Sequence, residues 1–442
     1  MKLHTSFLAT SVAGAFLMTG CVALVPLKKP AESAPLTKES RLVELQKAID
    51  FNRSRVERDP NGAIGLAMLS EAYLAVARLS DDDSAAIQAE DAARRSLKAR
   101  TVNNSRAANR LTEALLAQHR FVEARESAEL AAKLSGNDPQ SLRQLGDVLL
   151  ELGAYDDFNL LVKTYPEVTK TPEGMAMMSR WYEVSGKPES SVLMLNTAID
   201  LVKDSGKLDG EIFGWYQAQL GWTHLRNGDH ESARVAFDSA LKGNPLERKA
   251  IAGLARLAFE SKDWEQVVVL SKRANAIAPL TDVMGWEIIA LSELNRQSEA
   301  TVLMAEIKRL NDIGADKGAG ALHSHGESGA MHSHGHSDEA ESRHTHGRLY
   351  SQFLADAGRD LEFAHHAAEE DLQWRKDIYA YDAFAWATYR FWLLDPVAQI
   401  EGDGLLTEAK VAIKKAMSLG TKDVLILAHA EEILAAQPRK KQ

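Results

Sequence analysis

Apolar and small residues recur along most of this chain at the spacing of α-helices, and they do so in repeated units. The clearest unit covers residues 214–244, with apolar or small residues at Leu220, Gly221, Ala233, Phe237 and Ala240 and a closing Pro245. The pattern predicts two helices joined by a turn at Gly228, because apolar positions three and four apart form one face of a helix. Proline is scarce, at 12 of 442 residues, which also favours helices.

The unit returns 34 residues further along the chain, where Leu220, Gly221, Ala240 and Pro245 correspond to Leu254, Ala255, Ala274 and Pro279. This spacing resembles the tetratricopeptide repeat, which has a Leu-Gly pair in its first helix, small residues and a Phe in its second, and a closing Pro. Weaker copies lie around residues 69–93, 111–134, 145–153, 182–198 and 286–310.

The resemblance implies an all-α superhelical solenoid of helix-turn-helix units over residues 40–312, which resumes over 349–438 and ends in a capping helix. Small residues at Gly221 and Ala233 are expected where the two helices of a unit cross, with Leu220 and Phe237 filling the gaps between units. Residues 375–386 resemble the C-terminal repeats of many bacterial tetratricopeptide proteins. There Asp377 or Asp382 is expected near the start of a helix, at the positive end of its dipole.

The first twenty residues have the pattern of a signal peptide, with Lys2, a short apolar stretch and the small pair Thr19-Gly20 before the single cysteine, Cys21. Residues 17–21 resemble the lipobox of bacterial lipoproteins, which implies acylation of Cys21 and anchoring to a membrane through lipid. Residues 21–39 are predicted to be a flexible tether. By the same resemblance, Val22 favours the outer membrane, with the chain facing the periplasm.

A histidine-rich segment at residues 313–348 interrupts the repeats. Seven of the fourteen histidines lie within 24 of its residues: His323, His325, His332, His334, His336, His344 and His346. The Ser and Gly between them predict a disordered loop. Imidazole pairs bind Zn²⁺, Ni²⁺ or Cu²⁺, so these seven are candidate metal ligands, although a solvated linker remains the alternative. On the helix that follows, His366 and Glu370 share one face and are candidates for holding an ion at the base of the loop.

The sequence contains no nucleophile elbow, P-loop, dinucleotide glycine motif or H-E-x-x-H zinc motif, so we expect no enzyme activity and no required cofactor. The formal net charge of −10 argues against nucleic acid as a partner. Two functions follow. The first is a membrane-anchored periplasmic scaffold that holds a protein or peptide in the solenoid groove. The alternative is binding, buffering or delivery of a divalent metal by the histidine-rich loop, with a metal transporter as partner.

Overall fold

A computed structural model describes residues 37–80, 82–206, 208–320, 347–395, 398 and 403–438, with only the backbone described for residues 311–320. These residues contain twenty α-helices. No strand occurs in these residues. The helices are α1 Lys38–Arg58, α2 Ala63–Ser80, α3 Asp83–Ala99, α4 Ser105–Ala117, α5 Phe121–Ser135, α6 Pro139–Leu152, α7 Tyr155–Thr164, α8 Pro172–Val184, α9 Pro188–Asp204, α10 Gly210–Arg226, α11 His230–Gly243, α12 Arg248–Glu260, α13 Trp264–Ile277, α14 Thr281–Glu293, α15 Gln297–Gly320, α16 Gly347–Ala357, α17 Leu361–Trp374, α18 Ile378–Leu394, α19 Gly404–Ala416 and α20 Val424–Ala435. A short 3₁₀ helix, Pro166–Lys170, precedes α8.

The helices pack in antiparallel pairs, each formed by an even-numbered A helix and the odd-numbered B helix that follows it, from α2 and α3 to α18 and α19. Successive A helices also contact one another directly, from α2 to α8 and again from α10 to α18. The array therefore curves with the A helices on its inner side. The predicted all-α solenoid of the tetratricopeptide type is confirmed.

Phe237 shows why the repeat demands small residues at fixed positions. Its ring is fully buried in α11 and lies between Gly221 of its own pair and Gly253 of the next pair. A Cβ atom at Gly221 would lie 2.5 Å from that ring, and one at Gly253 would lie 2.1 Å from it. The predicted close crossing at Gly221 and Ala233 is present, and one aromatic ring joins two neighbouring repeats.

A second kind of contact joins repeats that are far apart in sequence. Arg375, in the connection between α17 and α18, donates to the Glu151 carbonyl oxygen (3.2 Å) and to Glu151 Oε2 (3.1 Å) at the end of α6. The Lys376 amide donates to the Leu152 carbonyl oxygen at 2.8 Å, and the Ile378 amide donates to the Tyr155 hydroxyl at 3.1 Å. The superhelix therefore turns far enough for its C-terminal repeats to dock on α6 and α7.

Glycines at the turns between paired helices follow the same line of contact. Gly153 and Gly186 have φ values of +71° and +70°, which glycine adopts at the end of a helix without steric cost. A Cβ atom at Gly153 would also lie 2.2 Å from the backbone of Lys376, and one at Gly186 would lie 1.9 Å from the Gly420 carbonyl oxygen. Both positions require glycine, because a side chain would disfavour the positive φ angle that ends the helix and would collide with the backbone of the C-terminal repeats.

The apolar helix α2 is long and apolar enough, by length and composition, to cross a membrane. It packs against α1, α3 and α4, and Leu66, Leu74 and Ser70 on it are buried. The hydroxyl of Ser70 donates to the Ala89 carbonyl oxygen of α3 at 2.7 Å. These contacts are those of a core helix in a repeat array.

The C-terminal half differs in detail from the expectation. Asp377 caps α18 by accepting hydrogen bonds from the amides of Tyr379 (2.8 Å) and Ala380 (3.1 Å), as predicted. Helix α19 begins at Gly404. Helix α15 stays helical to Gly320, past the expected end of the repeats at residue 312. The glycines after residue 312 favour a loop, but extending a helix that has already formed costs little free energy.

Replacing Phe237 by Ala should lower the free energy of unfolding by about 3–5 kcal/mol, because it leaves a cavity shared by two repeats. Urea unfolding followed by circular dichroism measures the change. The matched control is Val235→Ala, two residues away on the same helix with 65% of Val235 exposed. That substitution should cost about 0.5 kcal/mol or less. Equal losses in the two variants would contradict the packing described here.

Candidate binding groove on the A helices

The inner surface of the array is built from polar and aromatic side chains at corresponding positions of successive A helices. Asp147 of α6, Trp222 of α10 and Arg256 of α12 each directly follow the Leu-Gly or Leu-Ala pair of their repeat, and Arg180 of α8 lies in the same place. The small residue of the pair faces the paired helix, so the next residue turns toward the neighbouring A helix. We call these residues, with Glu151, Glu183, Arg226 and Lys249, the groove residues.

Ion pairs connect the groove residues of α6 and α8. Arg180 Nη2 lies 2.5 Å from Glu151 Oε1, and its Nη1 lies 3.8 Å from Asp147 Oδ1. Asp147 also pairs with Arg143 one turn earlier on α6. About 43% of the Arg180 side chain remains exposed, so it can still meet a ligand from the solvent.

Glu151 is the most strongly perturbed carboxyl group of the groove. Burial on its own would raise the pKa of Glu151, but the positive charges of Arg180, Arg375 and Arg348 outweigh it and lower the pKa to about 2. Because Arg375 belongs to the inter-turn contact and Arg180 to the groove wall, this one carboxylate couples the two regions.

A second polar set connects α8, α10 and α18. Arg226 Nη1 lies 2.7 Å from Glu183 Oε1, and the Tyr379 hydroxyl donates to the same oxygen at 2.9 Å. The Arg226 guanidinium also lies over the rings of Trp222 and Tyr379, at 5.5 and 5.6 Å from their centres. A guanidinium group held against aromatic rings keeps its N–H donors available for contact with a carboxylate.

Burial also shifts the pKa of Asp423, which precedes α20 beside this set. Burial raises the pKa of Asp423 to about 6, and the charges of Glu183 and Asp382 add to that effect while Arg226 opposes it. The Asp423 carboxyl group therefore binds its proton more tightly in the folded chain than in the unfolded chain. The contribution of Asp423 to stability is present below its ordinary pKa and is lost as the pH rises through about 6.

Lys249 of α12 adds a further cation to the groove. Its backbone carbonyl oxygen accepts a hydrogen bond from the Trp222 indole at 3.0 Å, which fixes that ring. The groove therefore offers fixed aromatic faces beside arginines, and both residue types are enriched at protein-binding surfaces.

The groove residues include none of the candidate residues predicted from sequence. Cys21 and the seven histidines His323, His325, His332, His334, His336, His344 and His346 all lie outside the described residues. His366 Nδ1 lies 3.5 Å from Glu369 Oε2, and an ion held by His366 and Glu370 stays a prediction. Within the described ranges, His365, His366 and Glu369 have ligand-type atoms within 4.8 Å of one another.

Sequence reasoning missed the groove charges, although a signal for them is present. Aligning the units on Leu145-Gly146 and Leu220-Gly221 places Asp147 opposite Trp222 and Glu151 opposite Arg226. Large polar or aromatic residues thus recur four apart on the A helices, on the side away from the packed face. The reciprocal charges of α6 and α8 become visible only once the curvature brings these helices together.

No protein-family model matches the chain, and no curated protein matches it in sequence. The solved structures with a similar helical arrangement include the following two. The crystal structure of the APC/C hetero-tetramer Cut9–Hcn1 aligns with a TM-score of 0.46 and 12% identity over 90% of this chain and 67% of that chain. The crystal structure of BtubC (BKLC) from P. vanneervenii aligns with a TM-score of 0.31 and 16% identity over 48% of this chain and 92% of that chain. The fold assignment rests on the helix packing described above.

The electrostatics of Glu151 predict how stability responds to acid. Its pKa is lower in the folded chain (about 2) than the ordinary 4.5, so the unfolded chain binds more protons between those values. Its contribution is fully present above the ordinary pKa and is lost as the pH falls toward 2. Between those values, the Glu151→Gln variant should lose less stability than the parent chain, as measured by urea unfolding at stepped pH. Glu126→Gln, at an exposed position of α5, is the control, and identical slopes for the parent chain and Glu151→Gln would refute the assignment.

Proposed function

We propose that this protein is a scaffold that binds a segment of another protein against the groove residues of its A helices. The observation that carries this proposal is the row of half-exposed arginines beside fixed aromatic rings, formed by Arg180, Arg226 and Trp222. Arg and Trp are the residue types that most often dominate binding energy at interfaces. A repeat array presents such positions at regular spacing along an extended surface.

The chemistry of the groove favours a partner segment that carries carboxylates. The exposed guanidinium groups of Arg180 and Arg226 are held in place by Glu151 and Glu183, which leaves their remaining donors for a ligand. The partner's apolar side chains would lie on the face of Trp222. An extended or helical segment with acidic and apolar residues fits this arrangement.

The site of action that we propose is the cell envelope. The support is the sequence of residues 1–21, which has a short apolar stretch followed by a lipobox-like pattern ending in Cys21. Acyl chains on Cys21 would attach the array to a membrane, and two or more chains are needed for stable attachment. The scaffold would then present its groove to periplasmic partners.

Metal handling by the histidine-rich segment is the second candidate function. The observation that favours it is the concentration of seven of the fourteen histidines within residues 323–346, in H-x-H pairs. Such a segment would buffer Zn²⁺, Ni²⁺ or Cu²⁺ or pass the ion to a transporter. Metal titration of a full-length variant with all seven histidines replaced by Gln decides whether the segment binds metal.

Peptides selected from a random display library against the purified chain test the groove. Arg180→Gln and Lys249→Gln should each weaken binding of the selected peptides about tenfold or more, because each removes a cation from the groove wall. The control is Arg309→Gln on α15, where the arginine is 55% exposed and pairs with Glu306 on its own helix. Circular dichroism checks that the variants fold. Selected peptides that bind parent and groove variants equally would refute the groove as the binding site.

Cys21→Ser tests the anchor in bacterial cells that process lipoproteins. The parent chain should incorporate a labelled fatty acid and sediment with membranes, and the variant should do neither, because the serine hydroxyl replaces the thiol that is acylated. Replacement of Thr19 by Ser, a small residue by another, is the matched control and should leave labelling intact. Labelling of the parent chain that persists in the Cys21→Ser variant would exclude acylation at this residue.

A further inference from the structure

Two imidazoles and a carboxylate come together on the second helix of the α16–α17 pair. His365 and Glu369 are four residues apart and His366 and Glu369 are three apart, and both spacings make side chains neighbours on a helix. One nitrogen of each histidine and one oxygen of Glu369 all lie within 4.8 Å of one another. Small rotations of the two exposed side chains would bring all three atoms within bonding distance of a single ion.

His365 is fixed in place before any ligand arrives. Its side chain is buried, and its ring stacks on Phe391 at 5.7 Å and lies 5.5 Å from Phe384. Its Nδ1 atom is 2.9 Å from the Thr388 hydroxyl of α18. A hydrogen bond at one imidazole nitrogen sets the tautomer and orientation of the ring and leaves the other nitrogen for a metal.

The other two members are open to solvent. The His366 side chain is 63% exposed and that of Glu369 is 54% exposed, with His366 Nδ1 3.5 Å from Glu369 Oε2. An ion can therefore enter from the surface and retain water as a further ligand. This combination of one fixed buried ligand and two reachable ones is typical of a site with an open coordination position.

Packing does not explain the histidine at position 366. Matching Ala364 of α17 to Ala233 of α11 puts His366 at the outward position of the B helix. Five of the seven preceding B helices carry an aliphatic residue there that is at least 60% exposed: Leu160, Leu193, Val235, Val269 and Val302. In α17 that position carries a histidine, directly beside the buried His365.

The other histidine–carboxylate pairs of the described residues lack a third ligand-type partner. His224 Nδ1 lies 3.3 Å from Asp229 Oδ2, His230 Nε2 lies 3.1 Å from Glu260 Oε2, and His429 Nδ1 lies 2.9 Å from Asp382 Oδ1 beneath the ring of Trp386. Each of these is a two-membered pair, which an ion-pair or packing role accounts for. Among the described residues, only the α17 group brings three ligand-type atoms within 4.8 Å of one another.

We propose that His365, His366 and Glu369 form a binding site for one divalent transition-metal ion of the zinc, nickel or copper class. Two imidazole nitrogens and one carboxylate oxygen suit these ions, whereas calcium and magnesium take oxygen ligands. Water completes the coordination. The site lies on a B helix, outside the groove of the A helices, and does not depend on the proposed peptide-binding function.

The test uses the full-length chain with the seven histidines of residues 323–346 replaced by Gln, so that this segment contributes no imidazole. Calorimetric titration with Zn²⁺, and the visible absorption of Co²⁺ in its place, should show one ion per chain. His366→Gln and Glu369→Gln each remove an exposed ligand, so the fold is retained while binding weakens strongly. Thr388→Val removes the orienting hydrogen bond and should weaken binding roughly 10- to 100-fold.

His230→Gln is the matched control, since it removes an exposed histidine that is also paired with a glutamate on a neighbouring helix. It should leave the stoichiometry and affinity unchanged. The proposal is overturned if the chain with seven substitutions binds no Zn²⁺, or if His366→Gln and His230→Gln have the same effect. Peptide affinity of the groove should not change in any of these variants, so a failure here leaves the scaffold proposal standing.

Discussion

The closure of this solenoid depends on one buried arginine. Repeat arrays ordinarily contact only their sequence neighbours, so nothing in the repeat itself holds distant turns together. Arg375, which is 5% exposed, contacts the carbonyl and carboxylate of Glu151 and the carboxylate of Asp377, and it lies 4.6 Å from the centre of the Phe121 ring. Without its guanidinium, Glu151 would keep Arg180 and Asp377 would keep Arg348, but the buried cation that contacts both carboxylates would be lost. Removing one partner of a buried ion pair costs far more than the pair contributes.

The same arginine sets the electrostatics of the groove. Glu151 accepts from Arg375 on one side and pairs with Arg180 on the other, so the charge that orients the groove arginine is fixed by the docking of the C-terminal repeats. Tyr379 makes an equivalent link, because it follows Asp377 on α18 and donates to Glu183, the partner of Arg226. Opening the inter-turn contact would therefore remove Arg375 from Glu151 and Tyr379 from Glu183, the two carboxylates that hold the groove arginines. Binding in the groove, as proposed, would then be coupled to closure of the superhelix through these carboxylates.

Local sequence patterns predict the features that depend on contacts between helices adjacent in the chain. The Leu-Gly pair, Phe237 and the closing proline were enough to place helix pairs, because a repeat needs a small residue wherever two helices cross. Gly153 and Gly186 could be predicted only as helix ends, since their contacts with Lys376 and Gly420 join residues more than two hundred positions apart. The sequence predicts only part of the proposed α17 site. It predicts His366 as a candidate ligand, but the pairing of His366 with Glu369 and the hydrogen bond of His365 with Thr388 depend on how α17 and α18 pack.

Buried charge is an expensive way to join two surfaces, and its use here has a physical rationale. An apolar contact between turns would be of similar or greater stability, but it would tolerate sliding along the edge of the superhelix. The Arg375–Glu151 pair is satisfied at one register, and the bare turns at Gly153 and Gly186 admit the backbone of the C-terminal repeats at that same register. Charge and steric fit thus specify one closure. A groove whose charged residues must face a partner in fixed order requires that the pitch of the array be fixed in this way.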